Sequence, residues 1–301
     1  NRIQAVEMLA KYQATNSEVG PLCSFIGHNW EWRWREKPIL DFLRAVAKNN
    51  PDRAIRSQAI FGLGRVYASK SAELVELENW GTAPFFTTGS TINLSSELVE
   101  FGSSQSAAAE AERQLQDVIA NYTDCRDLRD HGLKPEAPLL KTEAEQELSE
   151  LLHLSLGKVA PDIEAEDVDG KKFRLSDSRG KLTVLSFWAS WCGPCMQLVP
   201  VERALNERMH DKPFAIVGVN GDAIQSDAKH AMERERMTWP SFWNGKGGPS
   251  GPISSAWNVH DWPTVYVLDA GGIIRFKFTG YGNPTSNVLN GCVDELMAQL
   301  K

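Results

Sequence analysis

Residues 182–195 read LTVLSFWASWCGPC and place two cysteines directly after an apolar run. The run is rich in β-branched and aromatic residues, which is typical of a buried strand. After the cysteines, apolar side chains share one face of a helix, at Val201, Leu205 and Met209. The sequence therefore places Cys192 and Cys195 at a junction between a strand and a helix, one helical turn apart.

Two cysteines at this spacing can alternate between a dithiol and a disulfide. At a helix N-terminus, unpaired backbone N–H groups and the helix dipole stabilise a thiolate, so the pKa of the Cys192 thiol should fall from about 8.5 toward roughly 7 or lower. We therefore predict that Cys192 is the nucleophile. Cys195 lies further into the helix and should be more buried, so it is the resolving thiol that attacks a mixed disulfide formed on Cys192.

The cysteine pair has two alternative interpretations, a zinc site or a structural bridge. Zinc would need a second pair of ligands, and Cys23, Cys125 and Cys292 have no Cys or His partner at suitable spacing. A bridge over so short a loop restrains little of the unfolded chain. The six histidines show no metal-binding spacing either. Redox chemistry is favoured, and we predict no metal and no cofactor.

At these residues the chain resembles the thioredoxin superfamily, and within it the extracytoplasmic thiol–disulfide oxidoreductases of the TlpA and ResA type. Pro200 follows Cys195 by five residues, at the position where the active-site helix of thioredoxins is kinked. Residues 159–181 contain two short strands around an Asp-Gly turn, similar to the hairpin that precedes the central strand in TlpA-like proteins. The resemblance covers about 158–301 and implies an α/β fold, with a central mixed sheet flanked by helices.

The resemblance also implies a substrate-binding loop. The sequence DWPT opens the apolar strand TVYVLD, where the family has a cis-proline loop. A cis Trp262–Pro263 bond would turn the backbone N–H and C=O of Trp262 toward the active-site sulfur, where a substrate segment can pair with them. Without the resemblance, a trans proline would be expected. The substrate-binding residues implied in this way are Trp191, Gly193, Pro194, Trp262 and Pro263.

Two acidic residues of the family are missing from this chain. Thioredoxins carry a buried Asp six residues before the first cysteine, and that position is Ser186 here. ResA-type proteins often have a Glu three residues after the second cysteine, and that position is Leu198. Deprotonation of Cys195 must therefore depend on water, on the Cys192 thiolate or on a group from elsewhere.

Composition limits the other classes of function. The chain has 301 residues and 42% hydrophobic content, enough for two domains with cores of their own. The net charge is −7 and no basic stripe is present, so a nucleic-acid partner is not expected. No run of 18 apolar residues occurs, so no transmembrane segment is predicted. The resemblance implies a periplasmic or otherwise extracytoplasmic location, with a signal or anchor removed.

The first half of the chain predicts an all-α helical array. The predicted helices span 38–49, 51–69, 104–121 and 142–155, and 79–101 is predicted to be a long loop. Paired helices of this length faintly resemble HEAT and tetratricopeptide units, but no period repeats three times. The predicted domains are therefore a helical domain, 1–156, and a thioredoxin-like redox domain, 157–301.

Three further features leave alternatives open. Trp30, Trp32 and Trp34 alternate along the chain and indicate either core packing, which is favoured, or an aromatic binding platform. The glycine-rich segment 244–252 lacks the order of a phosphate-binding loop, and we expect a flexible surface near the proline loop. Cys23 and Cys125 could pair in an oxidising compartment or simply be buried.

The predicted function is thiol–disulfide exchange through Cys192 and Cys195. The resemblance implies reduction of disulfides in exported proteins, with re-reduction by a membrane thiol donor. A thiol peroxidase is one alternative, although the peroxiredoxin pattern would need Pro at Leu185 and Thr or Ser at Ala189. A scaffold in which the helical domain binds a partner and the dithiol senses redox state is another. The direction of electron flow and the substrate are left open.

Overall fold

The protein was studied as a computed structural model, which describes residues 8–9, 11, 13–28, 37–80, 101–129, 136–280 and 286–300. The chain forms two compact units, Asn1–Leu152 and His153–Lys301. The predicted boundary between 156 and 157 lies slightly later in the chain. The three alternating tryptophans, Trp30, Trp32 and Trp34, lie outside the described residues.

The described part of the first unit is helical, as predicted. Its helices are α1 (Gly20–His28), α2 (Lys37–Asn49), α3 (Arg53–Trp80), α4 (Ser104–Asn121) and α5 (Leu140–Ser149), and a π-helical turn spans Glu150–Leu154. The helix α1 was not predicted, because its short sequence GPLCSFIGH has no clear amphipathic period. The helix α3 continues past the predicted end at Ser69, since the following residues are good helix formers without Gly or Pro.

The core of the helical unit lies between α1, α2, α3 and α4. The apolar face predicted for α2 is buried throughout, at Ile39, Phe42, Leu43 and Val46. Two glycines let α1 and α3 approach closely, because a Cβ atom on Gly27 would lie 3.1 Å from the Cα atom of Gly62. Cys23 and Cys125 are buried and do not form a disulfide with each other. Burial raises the pKa of the Cys23 thiol far above its ordinary value.

The second unit is built on a mixed sheet, as the resemblance implies. The five strands are β3 (Leu182–Trp188), β4 (Phe214–Asn220), β5 (Ser241–Trp243), β6 (Thr264–Leu268) and β7 (Ile274–Thr279). Their order is β5-β4-β3-β6-β7, with β3 parallel to β4 and antiparallel to β6. The central strand β3 is buried at every residue. Because β3 and β4 run parallel, their C-terminal ends lie side by side at the same edge of the sheet.

In the described part of this unit, a hairpin and four helices accompany the sheet. The hairpin strands are β1 (Glu164–Glu166) and β2 (Lys172–Arg174), and the helices are α6 (Gly193–Arg208), α7 (Gln225–Glu235), α8 (Pro252–Ala256) and α9 (Ser286–Gln299). The Asp-Gly turn predicted for the hairpin is present, and Gly170 adopts a positive φ of 82°. Cys292 lies buried on α9. Within the described ranges, no helix has both the length and the apolar character needed to cross a membrane.

Candidate active site

The two cysteines lie at the start of α6, directly after the central strand. Cys192 is the N-cap residue, and its Sγ atom accepts a hydrogen bond from the Cys195 backbone N–H at 3.2 Å. Pro194 occupies the first turn, where its missing N–H leaves no helical bond unmade. Gly193 and Pro194 are the first two residues of the helix, and a Cβ atom on Gly193 would meet no other atom within 4 Å. The helix N-terminus therefore points at Cys192, as the sequence predicts.

The cysteines are joined in a disulfide, with an S–S distance of 2.07 Å. Both are buried in this oxidised form, with Cys192 4% exposed and Cys195 1% exposed. The predicted difference in burial has the expected direction but is small. Trp191, by contrast, is 56% exposed and stands beside the disulfide on the surface.

A buried carboxylate holds the loop before Cys192 in place. Asp222 follows the end of β4, where it accepts hydrogen bonds from the Ser190 backbone N–H at 3.0 Å and from Ser190 Oγ at 2.7 Å. The Asn220 side chain donates a third bond to Asp222 at 2.6 Å. The sequence analysis missed Asp222. A polar residue at the end of the strand beside β3 was the signal that could have indicated it.

The proline loop has the geometry that the resemblance implies. The Trp262–Pro263 bond is cis. The Trp262 ring lies 6.1 Å from the Trp191 ring between centroids, so the two predicted substrate-binding segments meet at these side chains. The Trp262 backbone makes no hydrogen bond to another backbone group in the part of the chain that the structure describes. Gly221 makes room for the ring, because a Cβ atom there would lie 2.5 Å from it.

A groove runs along these two tryptophans. Its volume is about 380 Å³, and it is lined by Trp191, Pro249, Ser250, Val259, His260, Asp261 and Trp262. The glycine-rich segment 244–252 thus forms one wall. The segment therefore lies near the proline loop, as predicted. The buried Asn244 side chain anchors it, because it donates to Gly248 O at 2.6 Å and accepts from the N–H groups of Ile253 and Ser254.

A buried acid lies on α6 itself, although not at either family position. Ser186 and Leu198, the two family positions, are buried, and Glu202 is also buried at 1% exposure. Burial raises the pKa of Glu202 to about 7, and the nearby Ser186 hydroxyl partly lowers it. No hydrogen bond of ordinary geometry joins the two side chains. The sequence analysis missed Glu202, which could have been noticed as a charge within the apolar face of α6.

A second group of polar residues lies in the helical unit. His28, Asp127 and Glu143 have ligand-type atoms within 4.8 Å of one another. Arg129 bonds to both carboxylates, to Asp127 at 2.6 Å and to Glu143 at 3.0 Å, and His28 contacts Glu143 at 3.1 Å. Because Arg129 already pairs with both carboxylates, the group is an ion-pair network between helix ends and a loop.

The fold and site define a class, the thioredoxin-like redox domains. The AhpC/TSA family matches residues 156–277. The thioredoxin-like protein YneN of Bacillus subtilis is 34% identical over 122 residues, which are 40% of this chain and 68% of that protein. The thiol-disulfide oxidoreductase ResA of Geobacillus kaustophilus is 30% identical over 127 residues, which are 42% of this chain and 71% of that protein.

A solved structure, a putative thiol:disulfide interchange protein DsbE from Chlorobium tepidum, is 28% identical with a TM-score of 0.43. It covers 48% of this chain and 98% of its own. From the sequence matches, the chain belongs to the family of thioredoxin-like thiol–disulfide oxidoreductases that includes YneN and ResA. The predicted family and fold are thereby confirmed.

Proposed function

We propose that this protein exchanges thiols and disulfides through Cys192 and Cys195 and reduces disulfides in exported proteins. The observation that carries the proposal is the disulfide between these two residues at the N-terminus of α6. Family membership supports the reaction class. We also propose the domain division that the sequence predicts, with residues 1–156 as a helical domain and 157–301 as the redox domain.

The reaction follows from the position of each sulfur. In the reduced protein, the Cys192 thiolate attacks one sulfur of the substrate disulfide, and the other substrate sulfur leaves as a thiolate that takes up a proton. Cys195 then loses its proton and attacks the mixed disulfide on Cys192. The second substrate thiol leaves, and the Cys192–Cys195 disulfide forms. Two electrons pass from the cysteine pair to the substrate.

The surroundings of the disulfide suit an extended peptide. The Trp262 backbone N–H and C=O have no other backbone partner among the described residues, so a substrate strand can pair with them. Trp191 and Trp262 offer apolar surface on the same side, and the groove continues from them. We therefore assign substrate binding to Trp191, Gly193, Pro194, Trp262 and Pro263.

The cycle requires a donor, because each turnover leaves the cysteine pair oxidised. A membrane thiol reductant in an extracytoplasmic compartment such as the periplasm fits this need. The relatives named thiol-disulfide oxidoreductase support this assignment of chemistry. A protein substrate in the same compartment would deliver the disulfides.

The test is turnover of a protein disulfide with dithiothreitol as donor. The wild-type protein should accelerate the reduction, and Cys192→Ser should abolish the acceleration. Cys195→Ser should accumulate a mixed disulfide on Cys192, visible as a mass increase. A reduction potential of about −270 mV would indicate a reductant. A potential of about −120 mV would indicate an oxidant and refute the proposed direction of electron flow.

A thiol peroxidase is the second candidate, because the AhpC/TSA family matches this unit. The peroxiredoxin pattern is broken at two positions, where Leu185 and Ala189 stand in this chain. Consumption of hydrogen peroxide with dithiothreitol as donor would support this candidate. We expect no consumption above the uncatalysed rate.

A further inference from the structure

The resolving step needs a proton acceptor inside the protein. Cys195 is 1% exposed, so bulk water reaches its thiol poorly. An ordinary thiol has a pKa of about 8.5, and only the thiolate attacks a disulfide. The two positions at which relatives carry an acid hold Ser186 and Leu198 in this chain. If the proposed function holds, the acceptor must come from another part of the protein.

Glu202 lies on the same buried face of α6 as Cys195. The buried residues of this helix are Cys195, Leu198, Val199, Glu202 and Leu205. Seven residues are nearly two full turns, so the two side chains differ by only about 20° around the axis. Their Cα atoms are about 10.5 Å apart along the axis, and helical side chains lean toward the N-terminus. The carboxyl of Glu202 therefore reaches back toward Cys195.

Ser186 lies opposite this face, on the central strand. Its neighbours Leu185 and Phe187 belong to the apolar cluster on the other side of the sheet, so Ser186 points toward α6. Its Oγ atom and Glu202 Oε1 are both buried without a hydrogen-bond partner among the described residues. A serine hydroxyl can accept one hydrogen bond and donate another. Ser186 can therefore connect a thiol to a carboxylate.

We propose that Glu202 accepts the proton of Cys195 during resolution, with the Ser186 hydroxyl as the polar group between them. The Cys195 thiolate then attacks Cys192 Sγ, the Cys192–substrate bond breaks, and the departing substrate thiolate takes a proton in turn. The carboxyl is thus protonated and deprotonated once in each cycle. A carboxyl with a pKa near 7 is suited to this role at neutral pH, because enough of it is ionised to accept a proton and it is acidic enough to release that proton again.

Other titratable groups near this face are few. The strands β3 and β4 contribute none, since LTVLSFW and FAIVGVN contain no ionisable side chain. The helix α9, which packs on α6 and β3, contributes the buried thiol of Cys292 and the exposed Asp294 and Glu295, and Asp294 pairs with Arg208 of α6. The helix α7, which contacts α6 through Glu235, has no buried charged side chain. On α6 itself, Arg203 donates to the Glu235 backbone carbonyl and Glu207 is exposed. Among these groups, only Glu202 is a buried carboxyl.

The test separates the two chemical steps in one experiment. Reduced protein in excess is mixed with 5,5′-dithiobis(2-nitrobenzoate), and release of the coloured thiolate is followed by stopped flow. The first release reports the attack by Cys192, and the second reports resolution by Cys195. The variants are Glu202→Gln and Ser186→Ala, with Glu207→Gln as the control on the exposed side of the same helix.

We expect Glu202→Gln to slow the second release at pH 7.5 on the order of 10- to 100-fold and to leave the first release unchanged. The loss lies at the low end of general-base effects because about a tenth of an ordinary thiol is already ionised at this pH. The second release should rise with an apparent pKa near 7 in the wild type, where the carboxyl and thiol titrate as a coupled pair. In Glu202→Gln the second release should rise only at higher pH, because the buried thiol then titrates without the carboxyl, and Ser186→Ala should also slow it.

A second release that keeps its rate and pH profile in Glu202→Gln would overturn the proposal. If Glu202→Gln does not fold, the pH profile of the wild type and the rate of Ser186→Ala decide the matter, and an unchanged rate in Ser186→Ala would overturn it. Failure of the wild type to show the first release would instead count against the proposed function, so the two outcomes are distinguishable.

Discussion

The buried carboxyl of Glu202 should make the stability of the redox unit fall as the pH rises. Burial raises its pKa from an ordinary 4.5 to about 7, so the folded protein binds a proton that the unfolded chain has already lost. The stabilisation is complete below the unfolded pKa and is lost as the pH rises through the folded one. At 1.36 kcal/mol per pKa unit, the full effect is about 3.4 kcal/mol, of which about 2.5 kcal/mol falls between pH 5 and pH 8.

Replacing Glu202 by Gln removes this titration and keeps the shape of the side chain. The amide has a desolvation cost of its own, but that cost does not change with pH. We therefore expect the free energy of unfolding of Glu202→Gln, relative to the wild type, to improve by about 2.5 kcal/mol from pH 5 to pH 8. The measurement is urea unfolding of the oxidised proteins across this range, followed by tryptophan fluorescence.

Two controls make this result specific. The transition of the redox unit is the one that changes when the disulfide is reduced, which separates it from unfolding of the helical unit. Glu207→Gln lies on the exposed side of the same helix and should track the wild type at every pH. Parallel curves for wild type and Glu202→Gln, within about 0.5 kcal/mol, would show that the carboxyl is not buried in the way described and would refute the reasoning.

Three further predictions concern the disulfide and the residues around it. In the reduced protein, iodoacetamide at neutral pH should label Cys192 much faster than Cys195, because only Cys192 lies at the helix N-terminus; equal labelling by mass spectrometry would contradict the assignment. Asp222→Asn should lower the free energy of unfolding by about 1–3 kcal/mol, because an amide cannot accept all three donors that the carboxylate accepts. Urea titration at constant pH measures this change. An unchanged midpoint would contradict the stabilising role of these hydrogen bonds. Gly221→Ala should displace the Trp262 ring and lower kcat/KM for a protein disulfide while leaving the reaction with a small aromatic disulfide nearly unchanged; equal losses on both substrates would indicate a general distortion of the site.

The sequence predicted the elements that local pattern encodes. The helix Ser104–Asn121 was predicted at its observed bounds, and the structure shows why it begins there, since the Ser103 side chain accepts a hydrogen bond from the Ser106 N–H. The far end of α3 was predicted too short, because a drop in amphipathic pattern does not end a helix when the residues still favour it. The glycine contact between α1 and α3 depends on tertiary packing, which a single sequence does not display.

The same contrast, between features encoded in local sequence and features that depend on tertiary packing, applies to the site. The cysteine pair and its proline are contiguous motifs, and the structure places both where motif spacing predicts. Asp222 was missed because its partner Ser190 lies 32 residues away and becomes adjacent only through the pairing of β3 with β4. Glu202 was missed because a long acidic side chain within an apolar helix face usually extends to the surface. Its burial is a property of the packed sheet and helix.

Because Asn244 anchors the glycine-rich wall, the lining of the groove and the chemistry of the cysteine pair can be changed independently, by natural selection or by an engineer. One buried side chain holds the wall through hydrogen bonds to Gly248 O, to Ser254 Oγ and to two backbone N–H groups. The side chains of Pro249 and Ser250 line the groove without taking part in that anchor. If peptides bind in this groove as proposed, exchanging Pro249 and Ser250 should change which peptides bind without altering the cysteine pair at the start of α6.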